Sequence, residues 1–271
     1  MPAARRGRVE TLESADRVLR VLEAFAPNER ELTLSEIAER LRLPKSSVHR
    51  LLATLSGRGY IEHDSKTHRY SMGIRLFEIG SNVIHERGLH AAVRPFLEDL
   101  ALATGETCHL AVRSGTDAVY VYKLDGPSAI PMPSRIGGRA PGHATSIGKV
   151  LLAWGGAEVR RQAMLAPLAS YSPNTITDSV SLNSELERVC DRGYATDLEE
   201  FELGLRCIAA PVRDITERVI AAVGLAAPAF RLTDEAMPVM IGAVIEASHS
   251  ISRQLGYVRP PLLAEAPGVG A

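Results

Sequence analysis

Cysteine is scarce in this chain. Its three thiols, Cys108, Cys190 and Cys207, are odd in number and show no CxxC spacing. That excludes a disulfide framework and fits a reducing cytosol. Long apolar runs are missing too: no stretch approaches the roughly 20 apolar residues that a membrane span needs, and the N-terminus has no signal-peptide core. The expectation is a cytoplasmic protein with no membrane partner. Nor does either charge dominate, since 31 Lys+Arg stand against 32 Asp+Glu, a formal net charge of −1. Spread evenly, that balance would hold a polyanion poorly.

The charges present are unevenly placed. Residues 1–75 carry 14 Lys+Arg against 10 Asp+Glu, net +4, while the remainder carries 17 against 22, net −5. A basic head on an acidic body puts the attraction for phosphate at one end. With 45% hydrophobic and 23% charged residues, 271 positions have room for two domains.

The informative stretch is TLSEIAERLRLPKSSVHRLLATL, residues 33–55. Thr33 followed by Glu36 fits a capping box and predicts a helix start. Leu34, Ile37, Ala38 and Leu41 then recur at helical spacing. Leu43-Pro44 interrupts, because proline disfavours helical geometry before it yet suits the first turn of a new helix. The second helix has Val48, Leu51, Leu52 and Leu55 on one stripe and Ser46, His49, Arg50 and Ala53 on the opposite face. Two short helices joined by a tight turn, the second showing small polar and basic residues outward, describe a helix-turn-helix. A solvated helical hairpin would share this pattern. The residues after the second helix decide against it: Gly57-Arg58-Gly59 stops the helix, and strands at 60–63 and 69–72 flank a turn at 64–68, forming a basic-tipped wing.

Around this reader the chain divides by pattern. Residues 1–10, with Arg5, Arg6 and Arg8, read as a disordered basic arm, and 11–72 as the winged helix-turn-helix domain. Ser14 is expected to cap a supporting helix that runs to about Phe25 and ends at Pro27-Asn28. Residues 73–88 read as a linker helix whose Ile74, Phe77, Ile79, Val83 and Ile84 cover more than one face and call for a second copy of the chain. A helix over 89–104 carries Val93, Phe96, Leu97, Leu100 and Leu102. Strands are expected at 106–113, 118–124, 194–198, 207–212 and 219–226, and helices at 144–154, 157–165, 178–192 and 233–255. Residues 125–143, with four glycines and four prolines, read as a long connection near a pocket. Residues 89–258 thus form an α+β domain on an antiparallel sheet, followed by a disordered tail at 259–271.

Several of these stretches, in order, resemble the IclR family of transcriptional regulators. They are the reader segment, the wing RGYIEHDSKTHRYSMG, and then LATGETCHLAV, GHATSIGKVLLAW, RGYATDLEE, GLRCIAAPV and VIAAVGLAAP. The resemblance implies a GAF-like C-terminal domain that binds a small organic acid. It also implies a homodimer, often a dimer of dimers, and control of affinity for a palindromic operator. Most such proteins repress and some activate. No cofactor is implied.

Candidate DNA contacts are Lys45, Ser46, Ser47, His49 and Arg50 on the second helix, with Lys66, His68 and Arg69 in the wing. Arg50 has the fork suited to guanine or phosphate. The family pattern places the effector at the HATSIGK helix start (His143, Ala144, Thr145), at Asp197, at Cys207 and at Gly224 and Ala226. Backbone N–H groups at a helix start suit a carboxylate. Family members that take very small oxo-acids resemble a pattern with serines at the two last positions. Glycine and alanine there should remove hydroxyl donors and enlarge an apolar space, which points to a larger, aromatic carboxylate. Two other readings stay open. Cys207 and His143 could form a nucleophilic pair in a cysteine-dependent hydrolase, or the second domain could only dimerise a constitutive DNA binder. Cys108, His109, His143, Asp197 and Cys207 match no compact metal-ligand spacing.

Overall fold

The computed structural model describes residues 12–25, 31–76, 78–79, 89–132 and 134–258. The basic arm, the Pro27-Asn28 break, positions 77 and 80–88 of the linker helix and the tail at 259–271 lie outside the described residues. The chain splits into two compact units, Met1–Glu86 and Arg87–Ala271.

The first unit holds α1 (Glu13–Glu23), β1 (Glu31–Thr33), α2 (Leu34–Leu41), α3 (Lys45–Gly57), β2 (Ile61–Asp64) and β3 (Arg69–Met72). Leu12, not Ser14, stands at the N-cap of α1, with no side-chain cap. The Thr33 capping box is complete: the hydroxyl accepts from Glu36 N–H at 3.3 Å, and Glu36 Oε2 accepts from Thr33 N–H at 2.7 Å. Arg42 ends α2 in the left-handed region, φ 54°, and Pro44 opens α3. The three strands pair antiparallel in the order β1-β3-β2. The core of Val21, Ile37, Leu41, Val48, Leu52 and Ile61 holds helices and wing together. Burying each such side chain contributes about 1.5–3 kcal/mol.

The second unit holds α4 (Leu89–Thr104), β4 (Thr107–Ser114), β5 (Asp117–Leu124), β6 (Arg139–Ala140), α5 (Ser146–Ala153), α6 (Ala157–Leu165), α7 (Ser179–Arg192), β7 (Ala195–Leu198), β8 (Leu205–Arg213), β9 (Val219–Pro228) and α8 (Met237–Gln254). The six strands run antiparallel in the order β6-β5-β4-β9-β8-β7. One sheet face packs Cys108, Leu110, Ile208, Val223 and Leu225 against α4 and α8. The other packs Ala111, Ala209 and Ala222 against α5 and its neighbours α6 and α7. Small residues on that second face let α5 lie close to the sheet. Leu102 departs from its expected core role and is 73% exposed.

Candidate functional site

In the first unit α3 buries Val48, Leu52 and Leu55, which turns Lys45, Ser46, His49 and Arg50 outward into exposed positions; Ser47 is half-buried. In the wing, Asp64 Oδ1 accepts from Lys66 N–H at 2.8 Å and Thr67 donates its hydroxyl to Oδ2 at 2.9 Å. This Asx-type turn presents Lys66 and His68 to solvent, with His68 at φ 55°. Arg69 is drawn back instead. Its guanidinium reaches Glu31 O at 3.4 Å and lies 3.9 Å from Glu36. His63 stacks on its cross-strand neighbour Tyr70 at 4.4 Å within the wing.

In the second unit Asp197, Cys207, Ala226 and Thr107 form one row across β7, β8, β9 and β4. The next row on the same face holds Ala195, Ala209, Gly224, His109 and Lys123. This is the face that α5 covers, since the space beside Gly224 is occupied by Ile147. Cys207 keeps part of its surface accessible although its strand is flanked on both sides, so the row is not fully covered.

The buried charges here escape a reading of the sequence. Lys149, on α5, has a side chain only 1% exposed and donates to Glu200 Oε1 at 2.6 Å. Glu200 is fixed by its backbone, whose carbonyl accepts from Ser172 at 3.1 Å and Thr175 at 2.6 Å. Asp197 Oδ1 accepts from the amides of Glu200 at 2.7 Å and Phe201 at 3.4 Å. Burial still raises the Asp197 carboxyl to about 7, with the Glu200 charge adding to it. Burial likewise pushes the Cys207 thiol well above its ordinary value, reinforced by Asp197. The Tyr120 phenol is raised by burial, with Cys207 and Asp197 close enough to add to it. His109, whose Nε2 lies 2.9 Å from Ser134 Oγ, is lowered to about 4 by burial and by Lys123.

The remaining expected site residues sit at and before the start of α5. The helix begins at Ser146, because Thr145 is its cap: Oγ1 accepts from Gly148 N–H at 3.1 Å and donates to Pro141 O at 2.8 Å. Ala144 is fully buried. His143 engages a different segment, with Nε2 2.9 Å from Ala169 O and its ring 5.9 Å from that of Tyr171. Asp197, Cys207, Gly224 and Ala226 therefore share one face, whereas His143 lines a recess of about 130 Å³ with Thr116, Leu168 and Tyr171. The enlarged space expected at Gly224 is absent. A Cβ there would meet Ile208 O at 2.6 Å and Ile147 Cγ1 at 3.2 Å. Among the described residues, no group of three His, Cys, Asp or Glu could hold a metal ion, and no helix is long and apolar enough to cross a membrane.

Comparison with known proteins agrees with this two-part layout. A family profile described as the IclR helix-turn-helix domain matches residues 14–65, and one described as the bacterial transcriptional regulator IclR C-terminal matches residues 81–253. The HTH-type transcriptional regulator XynR of Escherichia coli K12 is 36% identical over 248 residues, spanning 91% of this chain and 98% of its own length. The HTH-type transcriptional repressor AllR of the same strain is 31% identical over 261 residues, 96% of this chain and 95% of its own. A crystal structure of an IclR homolog complexed with 4-hydroxybenzoate, from Microbacterium hydrocarbonoxydans, matches with a TM-score of 0.80 at 30% identity, covering 89% of this chain and 98% of that one. By profile, by sequence and by fold, the chain belongs to the IclR family of bacterial transcriptional regulators.

Proposed function

We propose that this protein is a cytoplasmic repressor that binds a palindromic operator as a homodimer or dimer of dimers, and that an aromatic carboxylate bound in its second unit controls that affinity. The observation carrying the DNA reading is the outward face of α3, where Lys45, Ser46, His49 and Arg50 stand exposed above a fully apolar inner stripe. Ile74 and Ile79, 63% and 43% exposed beyond the wing, support a second copy packing there. The effector reading rests on the Asp197–Cys207–Ala226 row and on the relative that holds 4-hydroxybenzoate. Control then requires that the acid bind the DNA-competent and incompetent arrangements unequally. A hydrolase is disfavoured, because a thiol raised by burial is a poor nucleophile and His143 is engaged at Ala169 O.

The test is fluorescence anisotropy of the full-length protein on the DNA upstream of its own gene. Salt-sensitive, sequence-selective binding is expected, lost in Arg50→Ala and shifted by aromatic acids. Retention that survives Arg50→Ala would overturn the DNA interface. Affinity that ignores every metabolite would reduce the second unit to a dimerisation body.

A further inference from the structure

Among the described residues, the sheet face that α5 covers and α5 itself carry two matched cations and one acid without an ion pair. Lys149 is bound to Glu200 at 2.6 Å. Lys123 lies 3.5 Å from Asp125, whose Oδ1 also accepts from Thr107 at 2.9 Å. Asp197, 1% exposed, shares the face and forms no ion pair among the described residues; the Lys149 charge that acts on it is bound to Glu200. An incoming carboxylate would meet it as a like charge, and two carboxylates in one buried site cannot both stay ionised. Resting on the effector-site reading above, we propose that Asp197 enters the ligand-bound state as a neutral carboxylic acid, so that the site takes up a monoanionic carboxylate together with one proton and rejects dianions.

The groups around Asp197 leave little alternative. From α5 comes Lys149, already committed to Glu200 of the β7–β8 loop. From β8 comes the Cys207 thiol and from β5 the Tyr120 phenol, both held protonated by burial. His109 on β4 stays neutral near pH 7 and supplies no positive charge. Asp197 is thus the group on this face that gains a proton near neutrality. Its Oδ1 is held by the two amides, and the Cys207 thiol also bonds to the carboxyl; in the proposed state Oδ2 carries the proton and donates it to the ligand in a short O–H···O⁻ bond. The proton comes from solvent. Among the described residues of this face, a second negative charge on the ligand would find neither an unpaired cation nor a second such acid.

Calorimetry on the full-length protein with 4-hydroxybenzoate, in buffers of different ionisation enthalpy, measures the proton directly. We expect close to one proton taken up per ligand at about pH 8 and close to none at about pH 6, with Kd weakening about tenfold per pH unit above 7. Terephthalate, a dianion on the same ring, should give no binding heat, and Asp197→Asn should bind 4-hydroxybenzoate with an affinity independent of pH. Zero uptake at pH 8, or terephthalate binding as tightly as 4-hydroxybenzoate, overturns the inference and leaves the effector site standing. If 4-hydroxybenzoate, benzoate and 4-hydroxybenzamide all fail to bind at either pH, the aromatic-acid reading falls and the inference with it. The uptake measurement uses the unmodified protein, so it decides even if Asp197→Asn does not fold.

Discussion

The two units solve opposite problems with their polar side chains. Among the described residues of the reader, every fully buried side chain is apolar or the tyrosine Tyr70, and its charges stay at the surface. The second unit buries Lys149, Glu200, Asp197, Glu106 and His109. A duplex is a surface partner read by exposed groups, so the reader can leave its core to hydrophobic packing. A small ligand must be enclosed, and the groups that recognise it are enclosed with it. Charge is cheap where water solvates it and costly in a chamber unless paired.

That contrast can be broken on either side. The largest effect is expected from Lys149→Met, which leaves the Glu200 carboxylate buried without its counterion and should destabilise the second unit by about 3–5 kcal/mol. Adding Glu200→Leu should recover much of the loss. Trp154, the single tryptophan of the chain, lies in that unit and reports its urea unfolding by fluorescence. A Lys149→Met protein as stable as the wild type would mean that the pair is not confined as its geometry indicates. In the reader, Leu52→Ala removes a fully buried side chain and should cost about 2–5 kcal/mol, read by the circular dichroism of helix loss at an unchanged Trp154 signal.

A subtler expectation concerns pH. Asp197, raised in the folded state, contributes stability that is complete below about pH 4 and is lost as pH rises through about 7. His109, lowered when folded, contributes stability that is complete above about pH 6.5 and is lost as pH falls through about 4. Between these limits the two slopes oppose each other. Relative to wild type, the Tm of Asp197→Asn should therefore fall as pH is lowered from about 6.5 to 4. That of His109→Gln should fall as pH is raised from about 4 to 7. Parallel Tm curves for all three proteins would refute the assignment. The smallest effect is Thr33→Ala, which removes the capping hydroxyl of α2 and should cost about 1 kcal/mol in the reader alone.

How much of this is legible in the sequence depends on how local the cause is. The capping box at Thr33, the stripe of α3, the wing and the Asp178 start of α7 are set by neighbours a few residues apart, and sequence reading finds them. β1 stays hidden, because three residues, Glu31–Thr33, are too few for their alternation to register and become a strand only by pairing with β3. α8 starts at Met237 rather than near Thr233, since the Thr233 hydroxyl instead accepts from Ala236 N–H at 3.4 Å in the preceding turn. In the second unit Asp197 and Cys207 are reached through family pattern. Lys149 is not reached at all: a lysine on a helix reads as solvated, and its partner Glu200 lies 51 positions away. The signal that could have found it is its company, Ser-Ile-Gly before it and Val-Leu-Leu-Ala after it, a segment with no polar face for a lysine to join.

Gly224 carries one last lesson, about how such a receptor could be retuned. With Ile208 O and Ile147 crowding that spot, any new side chain there would push the backbone of β9 away from its neighbours. Substitution at this point of the sheet therefore has little freedom. Tyr120, on β5 of the same sheet face, and Ser134, in the connection from β5 to β6, are only half-buried and are less confined than Gly224.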